Sequence, residues 1–194
     1  RLVEYGVFFI VLGVELWITR QSLKDSGEVP PTIENQERRG KPTVAVIIPV
    51  HNESSVAGEA LRHFVSLGAD EVIVVDGKSS DGTHEIVKRE FPNVMCHQTA
   101  FAERSLQMNF GASKSKSDIF IFAHIDMRLP LSAIEMVREK VQKGFVGGGF
   151  KKSYNPSSWV LRAYIYLLNQ LYLTRMHCLV GTNAIFVTRV IFER

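Results

Sequence analysis

The chain alternates short, wholly apolar runs with longer stretches in which apolar residues return every three or four positions. Residues 43–50 form the first run, where Val44, Ala45, Val46, Ile47 and Ile48 follow one another without a polar break. A strand this uniformly apolar is covered on both faces, as parallel strands are. Ala57, Ala60, Leu61, Phe64 and Leu67 then mark one face of a helix, with Gly68 as its stop. Residues 71–75 predict a second buried strand, and a Gly/Ser/Asp turn leads to a short helix over 84–90 that Pro92 ends. A third strand is expected at 94–96, a helix at 105–113 and a fourth strand at 118–123. Ser132 and Glu135 have the spacing of a capping box, opening a helix with Ile134, Val137 and Val141 inward and Gly144 at its end.

A β-α-β-α-β-α-β series folds as an α/β domain, a mostly parallel sheet with right-handed crossovers, flanked by helices. Ligands of such sheets bind beyond the carboxyl ends of the strands, so the chemistry is expected directly after each strand.

Two segments lie outside this alternation. Residues 2–18 are apolar apart from Glu4 and Glu15. As a helix they are long enough to cross a bilayer, which takes about 17–25 residues; a helix docked on globular protein is the other reading, and both stand. Residues 21–42 have no apolar periodicity and are punctuated by Pro30, Pro31 and Pro42, as a linker would be. The chain therefore divides into an apolar N-terminal helix at 1–20, a linker at 21–42 and a domain at 43–194 that reads as incomplete at its C-terminal end.

Composition narrows the class. With 45% hydrophobic residues among 194, the chain can bury one substantial core. A net charge of +3 on a mixed surface is not the dense basic field of a nucleic-acid binder, so no such partner is expected. Cys96 and Cys178 are the two cysteines, too few for a disulfide framework, although one bridge between them stays open. A reducing compartment follows: the cytoplasm, or the cytoplasmic face of a membrane.

Polar residues gather where the ligand rule expects them. Pro49, Val50, His51, Asn52 and Glu53 close the first strand, residues 76–83 follow the second, and His124 and Asp126 follow the fourth. Carboxylates directly after apolar strands are costly unless something compensates them, so three such groups on one edge suggest a shared polar ligand. Neither a Gly-x-Gly-x-x-Gly turn nor a Gly-Lys-Ser/Thr loop follows the first strand, which excludes a Rossmann dinucleotide site and a P-loop there. A diphosphate bound without a glycine cradle needs another neutralising group, and a divalent ion, Mn2+ or Mg2+, supplies it with one or two carboxylates and phosphate oxygens as ligands. Asp126 suits that role. His124 is a second metal ligand or merely orients its neighbour. Asp76 is placed to accept from a pyrimidine edge or a ribose hydroxyl, whereas Asp81 is assigned to shaping the turn and capping the next helix.

These segments resemble the family 2 glycosyltransferases of the GT-A, Rossmann-like fold, over about residues 44–194. Residues 46–53 resemble the family's opening strand and nucleotide loop. Residues 74–83 resemble its second loop, whose first Asp contacts the base, and residues 122–126 stand at its Asp-x-Asp metal motif. An Arg-x-x-Gln-Met-Asn-x-Gly pattern at 104–111 and a His-x-Asp-x-x-Leu-Pro pattern at 124–130 are similar to a subgroup, some of whose members are assigned to arsenosugar biosynthesis. The resemblance implies a nucleotide diphosphate-sugar donor bound by Pro49, Val50, Asn52, Glu53, Asp76, Arg104, Gln107, Asn109 and Asp126. It also implies a metal at Asp126 and His124, and transfer with inversion to an acceptor hydroxyl whose identity is open.

Two departures qualify the resemblance. His124 replaces the first Asp of the metal motif, which puts the metal mainly on Asp126. Gly181, Thr182 and Asn183 stand where the subgroup has Gly-Asp-Gln, a change that bears on the acceptor side. The family's general base is expected beyond Arg194, and residues 147–150 with an aromatic helix over 159–172 are expected to frame the acceptor. A nucleotidyltransferase and a non-catalytic nucleotide-sugar-binding relic are the alternatives; the first would place a Gly-rich basic loop where residues 49–53 stand.

Overall fold

The computed structural model describes residues 3–4, 40–150, 159–160 and 184–194. In chain order these form β1 (Val3–Glu4), β2 (Val44–Val50), α1 (Ser54–Ser66), β3 (Glu71–Asp76), α2 (Thr83–Glu90), β4 (Met95–Gln98), α3 (Arg104–Lys114), β5 (Ile119–Phe122), β6 (Met127–Arg128), α4 (Ala133–Gln142), β7 (Gly147–Gly149), β8 (Ile185–Thr188) and α5 (Arg189–Phe192). The main sheet has the order β4-β3-β2-β5-β8-β7. β2 runs parallel to both β3 and β5, and β3 runs parallel to β4. β8 and β7 then add two antiparallel pairings on the far side of β5. β1 makes a two-residue parallel pair with β6.

The alternation along β2 builds two cores. Val44, Val46, Ile48 and Val50 face a layer that includes Leu61 and Phe64 of α1, Val87 of α2, and Ile134 and Val137 of α4. Ala45 and Ile47 face the other side, with Ile73, Val75, Ala112, Phe120 and Phe122. Both faces of the strand are therefore buried, as its unbroken apolar run predicts, and each buried Val or Ile side chain contributes about 1.5–3 kcal/mol. On the second face α3 approaches β2 at Gly111, where an added Cβ would lie 2.5 Å from Ile47 Cγ2.

Helix ends follow the expected punctuation in part. Gly68 and Gly144 take left-handed φ of +71° and +89° after α1 and α4. Ser132 does precede α4, but its hydroxyl meets Met136 Sδ at 3.3 Å instead of capping the helix, and Glu135 pairs with Lys41 at 2.7 Å. The capping box is thus present as a spacing and absent as a pair of hydrogen bonds.

The amino-terminal edge of the sheet is tied by its own polar side chains. Asp70 Oδ2 accepts from Val44 N and from Arg138 Nη2, each at 2.7 Å. Asp118 Oδ2 accepts from Thr43 N at 2.9 Å and from its hydroxyl at 2.8 Å. Glu71 collects the Ser115 hydroxyl, Lys116 N at 3.0 Å, Ser117 N at 3.2 Å and the Ser117 hydroxyl at 2.8 Å. That edge is committed to structure; the carboxyl ends of the strands lie opposite it.

Among the described residues no helix is long and apolar enough to cross a membrane. Val3 and Glu4 are extended, in β1. The rest of the expected N-terminal helix, the linker up to residue 39, residues 161–172 of the aromatic helix, Cys178 and residues 181–183 lie outside the described residues.

Candidate functional site

β2 is flanked by β3 on one side and β5 on the other, because the chain steps outward through β3 and β4 before crossing back to β5. Such a reversal of strand order opens a crevice beyond the carboxyl ends, the usual ligand position in open α/β sheets. The register places Asp76 beside Val50 and Phe122 beside Ile47, so the segments after β2, β3 and β5 leave the sheet on one edge.

The first two of these loops are stitched together. His51 Nδ1 donates to Gly77 O at 2.7 Å, which fixes the proton on that nitrogen, and Asn52 N donates to Ser79 Oγ at 2.9 Å. Ser80 N returns a bond to Asn52 Oδ1, Glu53 N donates to Thr83 Oγ1, and Ser54 N donates to Asp81 Oδ2, all at 2.9 Å. Asn52 and Lys78 hold left-handed φ of 54° and 60° to make this fit; Asn tolerates that region, whereas Lys adopts it at a steric cost. Asp81 also accepts from Thr83 N at 3.0 Å and from the Thr83 hydroxyl at 2.5 Å. The Thr83 hydroxyl, foremost among these donors, holds its carboxyl well below the ordinary 3.8. Asp81 thus shapes the turn as expected, and it also caps α1 from a neighbouring loop.

Two predicted site residues turn inward. Asp76 is completely buried. Its carboxylate accepts from Ser79 N at 3.2 Å, from the Ser79 hydroxyl and from Gln98 Nε2 at 3.0 Å, with His84 Nδ1 at 3.9 Å. Gln107 is also buried, and its Nε2 donates to Val50 O at 2.9 Å and Val75 O at 2.8 Å, bracing the ends of β2 and β3. Gly77 leaves room for that brace, since a Cβ there would lie 2.9 Å from Gln107 Nε2 and 2.8 Å from Ala102 Cα. Pro49 and Val50 are buried in β2. Arg104 begins α3 and is exposed; Asn109, also exposed, stands about 140° round the helix from it.

Glu53 and Asp126 mark where the loops converge. Burial pushes the Glu53 carboxyl up, the negative charges of Asp126 and Asp81 push it further, and Arg104 and His51 offset part of the rise. Asp126 is exposed, in a tight turn where Met127 N donates to His124 O at 3.1 Å and His124 N lies 3.3 Å from Met127 Sδ. His124 is half-buried. Of these groups Asp126 is the exposed carboxylate, and carboxylate oxygens are the ligand type a hard divalent cation takes. Among the described residues no three His, Cys, Asp or Glu side chains are grouped to enclose one.

The residues 45–192 match the family model described as Glycosyl transferase family 2. The chain belongs to that family. This family 2 domain has the GT-A fold, and solved structures similar to it bear this out. One is the mannosyltransferase PcManGT from Pyrobaculum calidifontis in complex with GDP-Man and Mn2+, with a TM-score of 0.56 and 20% identity over 94% of this chain and 53% of that one. Another is glucosyl-3-phosphoglycerate synthase from Mycobacterium tuberculosis in complex with Mn2+, UDP and phosphoglyceric acid, with a TM-score of 0.54 and 17% identity over 84% of this chain and 62% of that one. The chain thus spans between about half and three fifths of the length of these proteins. At such identities the likeness concerns the fold alone. No curated protein matches the chain.

Several residues that organise the site carry little sign of that role in the sequence. Ser79, Thr83 and Gln98 are ordinary polar residues in a turn and at a strand end, and their role appears only once β2, β3 and β4 lie side by side. The one signal was positional: Gln98 follows a strand on the same edge as Asp76.

Proposed function

We propose that this chain is the donor-binding part of a nucleotide-sugar-dependent glycosyltransferase, with the transferase domain at residues 43–194. The observation that carries the reading is the convergence of Glu53, Asp81, Arg104 and Asp126, from separate loops and the start of α3, at the point where the strand order reverses. A nucleotide diphosphate-sugar would lie along that edge, its base toward the loop after β3 and its diphosphate toward Asp126. Arg104, with its positive charge at the start of a helix, meets the diphosphate. Asn52, Asp76 and Gln107 act by holding the loops and strand ends that form the floor, while Pro49 and Val50 form the strand end beneath the nucleotide. Asn109 is proposed to contact the donor from the exposed side of α3.

Asp126, with His124, would hold a divalent ion, Mn2+ or Mg2+, which supplies neutralisation of the charge that develops as the diphosphate leaves. Glu53 then sits beside that charge and keeps the pocket negative when no cation is bound. Transfer would proceed to an acceptor hydroxyl with inversion. The patterns at 104–111 and 124–130 favour the subgroup that includes arsenosugar-type enzymes, and the cysteine usage favours a cytoplasmic site of action.

The test is binding of nucleoside diphosphates to the purified protein with and without Mn2+, repeated with Asp126→Ala. Metal-dependent binding that disappears in the variant is the expected result. Binding that is indifferent to the ion, or unchanged by the substitution, overturns the assignment of Asp126.

A further inference from the structure

We propose that α1 positions the turn bearing Asp126 through a clamp, in which Glu59 and His63 hold Arg128 and Leu129, and that the clamp holds only while the His63 ring is uncharged. This positioning role rests on the donor-binding reading above, which gives Asp126 its task. Asp126 is exposed, Met127 buried, Arg128 half-buried and Leu129 buried, so alternate side chains anchor the segment in the core and leave Asp126 and Arg128 outward. What holds Arg128 therefore also sets where Asp126 lies. Glu59 and His63 stand one turn apart on the same face of α1. The Glu59 carboxylate accepts from Arg128 Nη2 in an ion pair. One turn further along, the His63 ring meets the Leu129 carbonyl and lies near the Arg128 guanidinium.

One proton decides the state of this cluster. His63 Nε2 is buried and has no partner among the described residues. A neutral ring turns its hydrogen toward the Leu129 carbonyl and leaves Nε2 bare. A second proton makes Nε2 a buried donor without an acceptor and sets a cation near Arg128, and both effects are unfavourable. Burial is the main cause that pushes the His63 ring below the ordinary 6.5; the Leu129 carbonyl offsets part of that shift and the Arg128 charge adds to it. No carboxylate is left over to favour the charged ring. Of the elements packed on α1, β6 brings Arg128, which Glu59 pairs, and α2 brings Glu90, which faces Arg62. Glu4 of β1 is in register with Arg128. The released segment therefore takes up the proton more readily than the clamped one. The clamp is complete above about pH 6.5 and weakens as pH falls through the lower, clamped value.

The experiment has two arms. Without nucleotide, NMR follows the His63 ring and the exchange of the Met127 amide, which donates to His124 O at 3.1 Å, from about pH 8 to about pH 5. Exchange, corrected for its intrinsic pH dependence and for the opening of β2, is expected to quicken about threefold or more as the ring titrates, with one shared midpoint below the ordinary value. His63→Gln keeps a donor and does not titrate, and it is expected to abolish that step. In the second arm, binding of UDP and GDP with Mn2+ is expected to weaken over the same range about threefold more in the wild type than in His63→Gln, each relative to its own value at the alkaline end. A ring midpoint at or above the ordinary value, or Met127 exchange that does not follow the ring, removes the clamp, and the wild type alone decides this if the variant does not fold. A merely structural His63 would quicken exchange equally at every pH in the variant, which also overturns the proposal. Exchange that follows the ring while the two binding profiles run parallel removes the positioning role. A wild type that binds neither nucleotide, with exchange behaving as expected, overturns the donor-binding reading and leaves the clamp, so the two failures are told apart.

Discussion

The backbone N–H of Ser54, the first residue of α1, donates at 2.9 Å to Asp81, which lies on the loop after the neighbouring strand β3. A helix start is thus capped by a carboxylate from another loop, with the added benefit of negative charge at the positive end of the helix. The Asp81 carboxyl is held well below its ordinary 3.8, first by the Thr83 hydroxyl and also by Ser54. A group whose folded value is depressed contributes stability that is complete above its unfolded value and is lost as pH falls through the folded one. Thermal melts of the wild type should therefore decline as pH drops from about 4. Asp81→Ala should melt lower than wild type at pH 7 and show a shallower decline below pH 4; equal slopes would remove Asp81 as the cap.

Gln107 braces two strand ends with one nitrogen, donating to Val50 O and Val75 O. Gln107→Leu keeps the volume and strips both buried carbonyls of their donor, which should cost roughly 2–4 kcal/mol in urea unfolding. Gln107→Glu should cost more at neutral pH, because it sets carboxylate oxygens against the same two carbonyls. Since these strands end in the loops of the site, nucleotide affinity should fall along with stability in both variants. A Gln107→Leu protein of unaltered stability would mean that water takes over the brace.

The contrast between Gln107 and its neighbours shows what the sequence carries and what it withholds. The strands at 44–50 and 71–76, the helix at 54–66 and its Gly68 stop are legible because both faces of β2 are buried and a helix must present one apolar face. The positions of Glu53 and Asp126 are legible because ligands of parallel sheets gather at carboxyl ends. The direction of a polar side chain at such an edge is not. Asp76 and Gln107 read as ligand contacts, yet the first lies beneath Gln98 and the second points back into the strands. Asp76 turns toward donors on Ser79 and on Gln98 of β4, and Gln107 donates to the carbonyls of Val50 and Val75; Gln98, Val50 and Val75 are brought to these side chains only by the assembled sheet. The antiparallel pairing of β7 and β8 is likewise hidden: residues 147–150 are expected only to frame the acceptor, whereas Gly147–Gly149 pair with β8, so close that a Cβ at Gly148 would lie 2.7 Å from the Phe186 ring.

Gly77 and Gly111 test close approach at two depths. A Cβ at Gly77 would meet the backbone at Ala102 Cα, 2.8 Å away, and one at Gly111 would meet Ile47 Cγ2 at 2.5 Å. Both Gly77→Ala and Gly111→Ala should destabilise by about 1–3 kcal/mol, since inserted methyl groups force backbone or packing shifts. They should differ in their effect on binding. Gly77 lies in the site loop against Gln107 Nε2, so its variant should lose nucleotide affinity beyond what partial unfolding explains. Gly111 packs α3 on the middle of β2, and its variant, measured where it is still folded, should bind within about twofold of wild type. Equal binding losses in the two would show that the loop after β3 has no special place in the site.

Glu71 supplies the converse case, a carboxylate that accepts from two hydroxyls and two backbone N–H groups on the edge away from the loops after β2 and β3. Burial alone would raise its carboxyl, but the Ser115 and Ser117 hydroxyls and the N–H groups of Lys116 and Ser117 outweigh it, and its value lies below the ordinary 4.5. Glu71→Ala leaves those donors at the turn into β5 without their acceptor and should cost about 1–3 kcal/mol. By the same sign argument as for Asp81, the contribution is present at neutral pH and fades as pH falls below the ordinary carboxylate range, so wild type and variant should converge in stability under acid. Nucleotide affinity at pH 7 should not move, because Glu71 begins β3 and the site lies beyond its other end. A binding loss in Glu71→Ala comparable with that of Gln107→Leu would mean that strain passes along the whole strand and that the two edges are not independent.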